Sequence, residues 1–262
     1  MTLDIAGLGI GLGGLLLLTA IAAYMQTLTG FAFGLIMMGG VGLTGVIPLR
    51  EAAILVSVLV IVNALQVLRH GWRDIAMAEF IPIILSSLVF LLVGYWLLGI
   101  LLAASLDWLK LVLGTIIVLS SLQLLLKPAP LTQRSSTGSF VFFGAIAGLM
   151  GGLFSTAGPP LVYHLYRQPL NARSVRETLV AVFAINALIR LVTVAAAGTI
   201  PSSHFWWSLT TIPVVIGFTF LAKRWPPPIS PATMRRLAFL LLFLSGVSLA
   251  APALFTLFGD IA

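Results

Sequence analysis

The sequence predicts an all-α polytopic membrane protein built as two inverted repeats, each a broken or re-entrant helical hairpin plus three transmembrane helices. Three observations predict it. Of 262 residues, 60% are hydrophobic and 8% charged, against roughly 25% charged in soluble domains. The apolar residues fall in long runs, and a crossing needs about 20 residues. Two of the runs are interrupted inside the apolar stretch, at places that correspond between the halves. Backbone groups in lipid must be satisfied within the segment, so each run is a helix.

Residues 7–47 come first. They are too long for one crossing and are interrupted at Thr29-Gly30 and Gly39-Gly40. The stretch before Thr29 lacks a basic leading region and is read as the first membrane helix, not a cleaved signal. Runs 51–69, 77–99 and 106–126 each suit a crossing. The second interrupted stretch, 139–167, breaks at Gly151-Gly152 and at Ser155-Thr156-Ala157-Gly158-Pro159-Pro160. Proline cannot continue a helix begun before it but suits the first turn of a new one. Runs 177–197, 204–222 and 236–258 complete the set, the first carrying Arg190.

Charge sets the orientation. The net charge is +7, yet the cations are scattered, with no stripe of the kind that binds nucleic acid. Eleven of fourteen lie in four connections: Arg69 and Arg73; Lys127 and Arg134; Arg167, Arg173 and Arg176; Lys223, Arg224, Arg235 and Arg236. Cytoplasmic loops collect Lys and Arg, so these four face the cytoplasm. The 139–167 stretch then enters and returns, and both termini fall on the periplasmic side. The halves are 1–130 and 139–262, joined by a cytoplasmic loop at 131–138. Each holds a Pro-Leu turn (Pro48-Leu49, Pro169-Leu170) before a helix carrying Asn-Ala-Leu (Asn63-Ala64-Leu65, Asn186-Ala187-Leu188). Broken helices at matching places in inverted repeats mark secondary transporters.

Gln26-Thr27-Leu28-Thr29-Gly30-Phe31-Ala32-Phe33-Gly34, then Gly151-Gly152-Leu153-Phe154-Ser155-Thr156-Ala157-Gly158-Pro159-Pro160, then Asn186 through Arg190, resemble the TauE/SafE sulfite exporter family. The resemblance implies an inner-membrane carrier exporting sulfite, sulfoacetate or another organosulfonate. Many relatives have Gly where this chain has Ala157.

An anion in lipid needs replacement for lost water. Helix first turns supply free N–H groups and partial positive charge. One helix is expected to start near Gly30-Phe31 and another near Gly158-Pro159, with Thr29, Ser155 and Thr156 adding hydroxyls. At the second start Pro159 and Pro160 have no N–H, leaving Ala157, Gly158 and Leu161 as donors. The alternative use of this cluster is tight helix packing by small residues. Arg190 costs about 2.5 kcal/mol or more to bury; it meets either the anion or, by snorkelling, the outer interface. Asn63 and Asn186 bind the anion or hold the hairpin tips. Gln26 has the same two uses. Tyr24, Tyr163 and His164 default to packing, and the tryptophans to interfacial anchoring.

Two other readings stay open: a carrier for another small organic anion such as a carboxylate, and an intramembrane hydrolase using Ser155 and His164. No Gly-x-Ser-x-Gly elbow supports the latter. There is no cysteine, and three scattered histidines suggest no metal. No cofactor and no nucleotide-binding loop are expected. The partners expected are a small anion, membrane lipid and possibly a second copy of the chain.

Overall fold

A computed structural model describes residues 5–125, 131–156, 158–198, 201–202, 205–226 and 231–258. All regular structure among them is helical. The first half comprises α1 (Ile5–Thr29), α2 (Phe33–Thr44), α3 (Leu49–Gly71), α4 (Met77–Ala104) and α5 (Leu106–Leu125). The second comprises α6 (Thr137–Phe154), α7 (Pro159–Tyr166), α8 (Ala172–Ala196), a four-residue α9 (Phe205–Ser208), α10 (Ile212–Arg224) and α11 (Pro231–Phe258). Among the described residues six helical stretches are long and apolar enough to cross a membrane. The protein is an all-α, multi-pass membrane protein.

Local sequence explains most of the boundaries. Pro48 precedes α3, whose first turn holds Glu51 and whose last holds Arg69 and His70, charges that complement the helix dipole. Ser136 and Asn171 cap α6 and α8 through the N–H groups of Ser139 and Ser174. The expected run 204–222 is helical but passes through a 3₁₀ turn at Leu209–Thr211. Pro213 accounts for this, because it removes one i→i−4 bond and crowds the preceding carbonyl.

Two glycine pairs read as interruptions are not. α2 runs unbroken through Gly39 and Gly40, and α6 through Gly151 and Gly152. Their use is close packing. A Cβ on Gly40 would strike the Leu18 side chain of α1, and one on Gly152 the backbone of α4 at Leu91. Gly144, Gly148 and Gly152 form a small-residue stripe on α6 facing α4. Such stripes bring membrane helices to contact. Gly114 and Gly246 do the same between α5 and α11.

Several helix pairings have a counterpart when the halves are exchanged. α6 packs on α4, as α1 does on α10. α3 packs on α8 and α5 on α11. α2 touches α11, as α7 touches α5. The hairpins open towards opposite ends. Arg173 Nε meets Asp74 Oδ2 at 3.0 Å, Arg134 Nε meets Glu79 Oε1 at 2.6 Å, and Lys223 Nζ donates to Gln66 O at 2.6 Å. These contacts gather the cationic connections at one end, where α6 begins and α7 finishes. The turn before α3 lies at the other, where Glu51 Oε1 accepts from Ser202 N–H at 2.9 Å. Lys127 and the chain ends lie outside the described residues.

Candidate functional site

The first break runs through Gly30, Phe31 and Ala32. Gly30 (φ 80°) and Ala32 (φ 85°) both adopt the left-handed conformation, routine for glycine and costly for alanine. Glycine is needed at 30 on a second ground: a Cβ there would lie 3.1 Å from the backbone of Arg176. Thr29 Oγ1 accepts from Phe31 N–H at 3.3 Å and lies 2.7 Å from Met25 O, so this hydroxyl ties the turn together. α2 starts two residues later than expected, at Phe33. Gln26 Oε1 accepts the Phe33 N–H at 3.2 Å. Ile36 is the next α2 residue bonded in this way, to Ala32 O at 2.9 Å. The N–H groups of Gly34 and Leu35 have no acceptor among the described residues. They are the orphan donors that a helix start leaves.

The second break is built differently. Ser155 ends α6 in the left-handed region (φ 57°), its N–H bonded to Gly151 O. Gly158 caps α7, whose first two residues are Pro159 and Pro160. The expected amide donor Leu161 is already taken, bonding Gly158 O at 3.1 Å. The N–H groups of Thr156 and Gly158 have no acceptor among the described residues, so the second break presents two amides together with the hydroxyls of Ser155 and Thr156. Ser155 Oγ is hydrogen-bonded to Ser57 Oγ of α3. Ala157 lies outside the described residues.

The breaks meet. A Cβ on Gly34 would sit 2.8 Å from Thr156 Cβ and 2.9 Å from Ser155 O. Beside this contact is a cavity lined by Gln26, Phe31, Gly34, Leu35, Ser155, Thr156, Pro159 and Asn186, with Val60, Phe183 and Ala187 among its apolar walls. Both α2 and α7 begin at it, so the positive ends of two helices converge there. Gln26 is 1% exposed, and its Nε2 has no partner among the described residues. Among the described residues no carboxylate, Lys or Arg lines the cavity. Its polar character is that of neutral donors.

Of the residues expected at the site, Phe31, Ser155, Thr156 and Asn186 line this cavity, while Thr29, Gly30, Asn63, Gly158 and Arg190 do not. Asn186 also pairs with Ser87 of α4, Nδ2 to Oγ being 2.6 Å. Asn63 is fully buried elsewhere, donating to Thr27 Oγ1 at 2.9 Å and Thr219 Oγ1 at 2.8 Å. It fastens the α1 tip to α10. Gly158 is a packing position, where a Cβ would meet the Met150 sulfur. Arg190 is 1% exposed, one turn beyond Asn186 on α8. Gly34 and Leu35 were not named as binding residues from sequence; their exposure follows from where α2 starts, a boundary that composition does not mark.

Other candidates are accounted for. His164 stacks on Phe143 with ring centroids 4.2 Å apart and lies 3.2 Å from Ser139 Oγ. It is a packed histidine, and Ser155 has Ser57 as its hydroxyl partner, so the suggested Ser155–His164 dyad is not formed. Tyr24 donates to Trp225 O at 3.0 Å. All six tryptophans are exposed on the bundle surface, Trp96 at 67% and Trp207 at 66%. Among the described residues no His, Asp or Glu cluster suits a metal.

Comparison with known proteins gives a consistent result. The family model for the sulfite exporter TauE/SafE matches residues 15–249. A relative from Cupriavidus necator, described as a probable sulfite/organosulfonate exporter TauE, is 38% identical over 246 residues, covering 92% of this chain and 94% of the relative. A protein from Comamonas testosteroni, described as a probable inner membrane transporter protein TsaS, is 31% identical over 106 residues, covering 40% of this chain and 44% of that protein. No solved structure matches significantly.

Proposed function

The chain belongs to the TauE/SafE sulfite exporter family, and on that premise we propose that it exports a small sulfur-containing anion, sulfite or an organosulfonate, across the inner membrane. The observation that carries the reading is the cavity between the two breaks. It brings free amides of Gly34 and Leu35, the unpaired Gln26 amide, the hydroxyls of Ser155 and Thr156 and the Asn186 amide around one buried space without a carboxylate. Donors fixed in place and shielded from water replace the hydration of an oxyanion. A neutral lining holds the anion by dipoles alone, so leaving this cavity does not require breaking an ion pair.

The halves 1–130 and 139–262 are inverted repeats that rock about this site, joined by 131–138. The end bearing the cationic connections faces the cytoplasm, which places both termini in the periplasm. An inside-negative potential drives an anion outwards by about 2.3 kcal/mol per charge per 100 mV. Uniport is therefore energetically sufficient.

The test is efflux from proteoliposomes loaded with sulfite, sulfoacetate or acetate, read by mass spectrometry under an imposed potential. Saturable efflux of sulfite or sulfoacetate, accelerated when the loaded side is negative, is the expected result. Efflux of acetate alone would assign the cavity to carboxylates.

A further inference from the structure

Arg190 is among the largest fully buried side chains of the protein, at 1% exposure. Among the described residues it has no carboxylate partner. Its Nε donates to Gly152 O at 3.3 Å, a carbonyl of the last turn of α6 that no backbone N–H meets among the described residues. The Tyr95 ring lies 6.0 Å from the guanidinium carbon. Among the described residues Nη1 has no hydrogen-bond partner. A buried guanidinium held this weakly is costly in a membrane protein, and such groups face a pathway or a partner. Snorkelling is excluded, because the side chain is buried against α6 and α4 and not extended to a surface.

Arg190 is also separate from the cavity. It is absent from the lining, whereas Asn186 and Ala187, about one turn earlier on α8, are part of it. α8 runs from Ala172, at the end gathering the cationic connections, to Ala196. Arg190 therefore lies beyond the cavity, on the side away from those connections. The backbone between the two is α6 at Gly151 and Gly152: Gly151 faces Asn186, where a Cβ would lie 3.9 Å from its side chain, and Gly152 supplies the carbonyl to Arg190.

We propose that Arg190 forms a second oxyanion station, distinct from the central cavity and one helical turn further out. It receives a sulfite-class or sulfonate-class anion as that anion leaves the donor ring. This proposal rests on the export reading above. The free Nη1 lies at the end of the guanidinium beside Nη2, where parallel N–H groups can grip two oxygens of one anion. Nε keeps its bond to the Gly152 carbonyl when the anion arrives. The central site holds by neutral dipoles and the second by a full charge.

The test has two arms. The first measures sulfite binding in detergent and sulfite efflux from proteoliposomes for wild type, Arg190→Gln and Arg190→Lys, with a thermal melt of each. Arg190→Gln is expected to lower efflux at least about tenfold, the scale of a lost charge-assisted bond, while binding at the central cavity changes less than about threefold. Arg190→Lys, which keeps charge but not the fork, is expected to fall between. Unchanged efflux in Arg190→Gln overturns the proposal. Equal losses of binding and efflux also overturn it, because Arg190 then belongs to the central site. The second arm uses the wild-type protein and does not depend on how the variants fold. A structure is determined with selenite, the heavier analogue of sulfite, located by its anomalous signal. A peak within hydrogen-bonding reach of the Arg190 guanidinium supports the station; selenite in the cavity alone overturns it. Wild type that neither binds nor moves sulfite is a failure of the export reading instead.

Discussion

The two breaks occupy matching places and do different chemistry. At Gly30–Ala32 the chain turns without proline, so α2 starts with intact amides and leaves those of Gly34 and Leu35 free. At the second it turns into Pro159 and Pro160, which have no N–H, the Leu161 amide is consumed by Gly158 O, and the hydroxyls of Ser155 and Thr156 add to the amides of Thr156 and Gly158. The helices that follow diverge in the same way. Aligning Asn63 of α3 with Asn186 of α8 sets Ala53, Ile54 and Val67 opposite Arg176, Glu177 and Arg190. Each asparagine still bonds a hydroxyl of the other half, Thr219 or Ser87. The shared elements are those that hold the bundle together, and at these three positions only α8 is charged.

The comparison is open to attack, and the largest effect is expected at the first break. Gln26→Glu keeps size but places a carboxylate among the donors; at about 4 Å from a bound anion, with an effective dielectric near 20, the repulsion is about 4 kcal/mol. Sulfite efflux at alkaline pH should fall about a thousandfold, and a wild-type rate would remove Gln26 from the site. Next is Gly34→Val, whose branches enter the space held by Thr156 and Ser155. Efflux should drop about a hundredfold, together with a lower melting temperature, because overpacking at this contact pushes the two breaks apart.

Smaller effects sharpen the contrast between the halves. Thr156→Val removes one neutral donor, for an expected rise of about tenfold or less in the half-saturating sulfite concentration. The two asparagines should then separate. Asn63→Ala is expected to cost about 1 kcal/mol of stability, seen as a lower melting temperature, with sulfite affinity unchanged. Asn186→Ala should weaken affinity as well. Equal affinity losses in both would place Asn63 in the site and undo the distinction. The smallest effect is that of His164→Phe, which preserves the stack on Phe143 and loses one bond to Ser139. Efflux should stay within about twofold of wild type, as for residues outside a binding site.

The bundle was legible because lipid leaves few options. Run lengths mark the crossings, with single prolines such as Pro82 and Pro252 lying inside helices, and Ser155 to Pro160 marks a break, since two adjacent prolines suit a helix start and not its interior. Glycine was less informative. It serves both turns and close approaches, and nothing local to Gly39-Gly40 distinguishes the two; only Leu18, from another helix, decides for packing. The site was half legible for a related reason. Side chains such as Thr156 and Asn186 announce themselves. The amides of Gly34 and Leu35 belong to every residue, and they become donors only because α2 begins at Phe33. Gln26 was ambiguous until the structure gave one end of its amide a partner and left the other without one.

The two returning arms are short. α2 has 12 residues and α7 has 8, about 18 Å and 12 Å at 1.5 Å per residue. Placed head to head, they account for about 30 Å, one hydrocarbon thickness. Neither arm is long enough to cross the membrane alone, so an anion held where Gly34 abuts Thr156 would sit well inside the hydrocarbon, part of the way through the membrane potential.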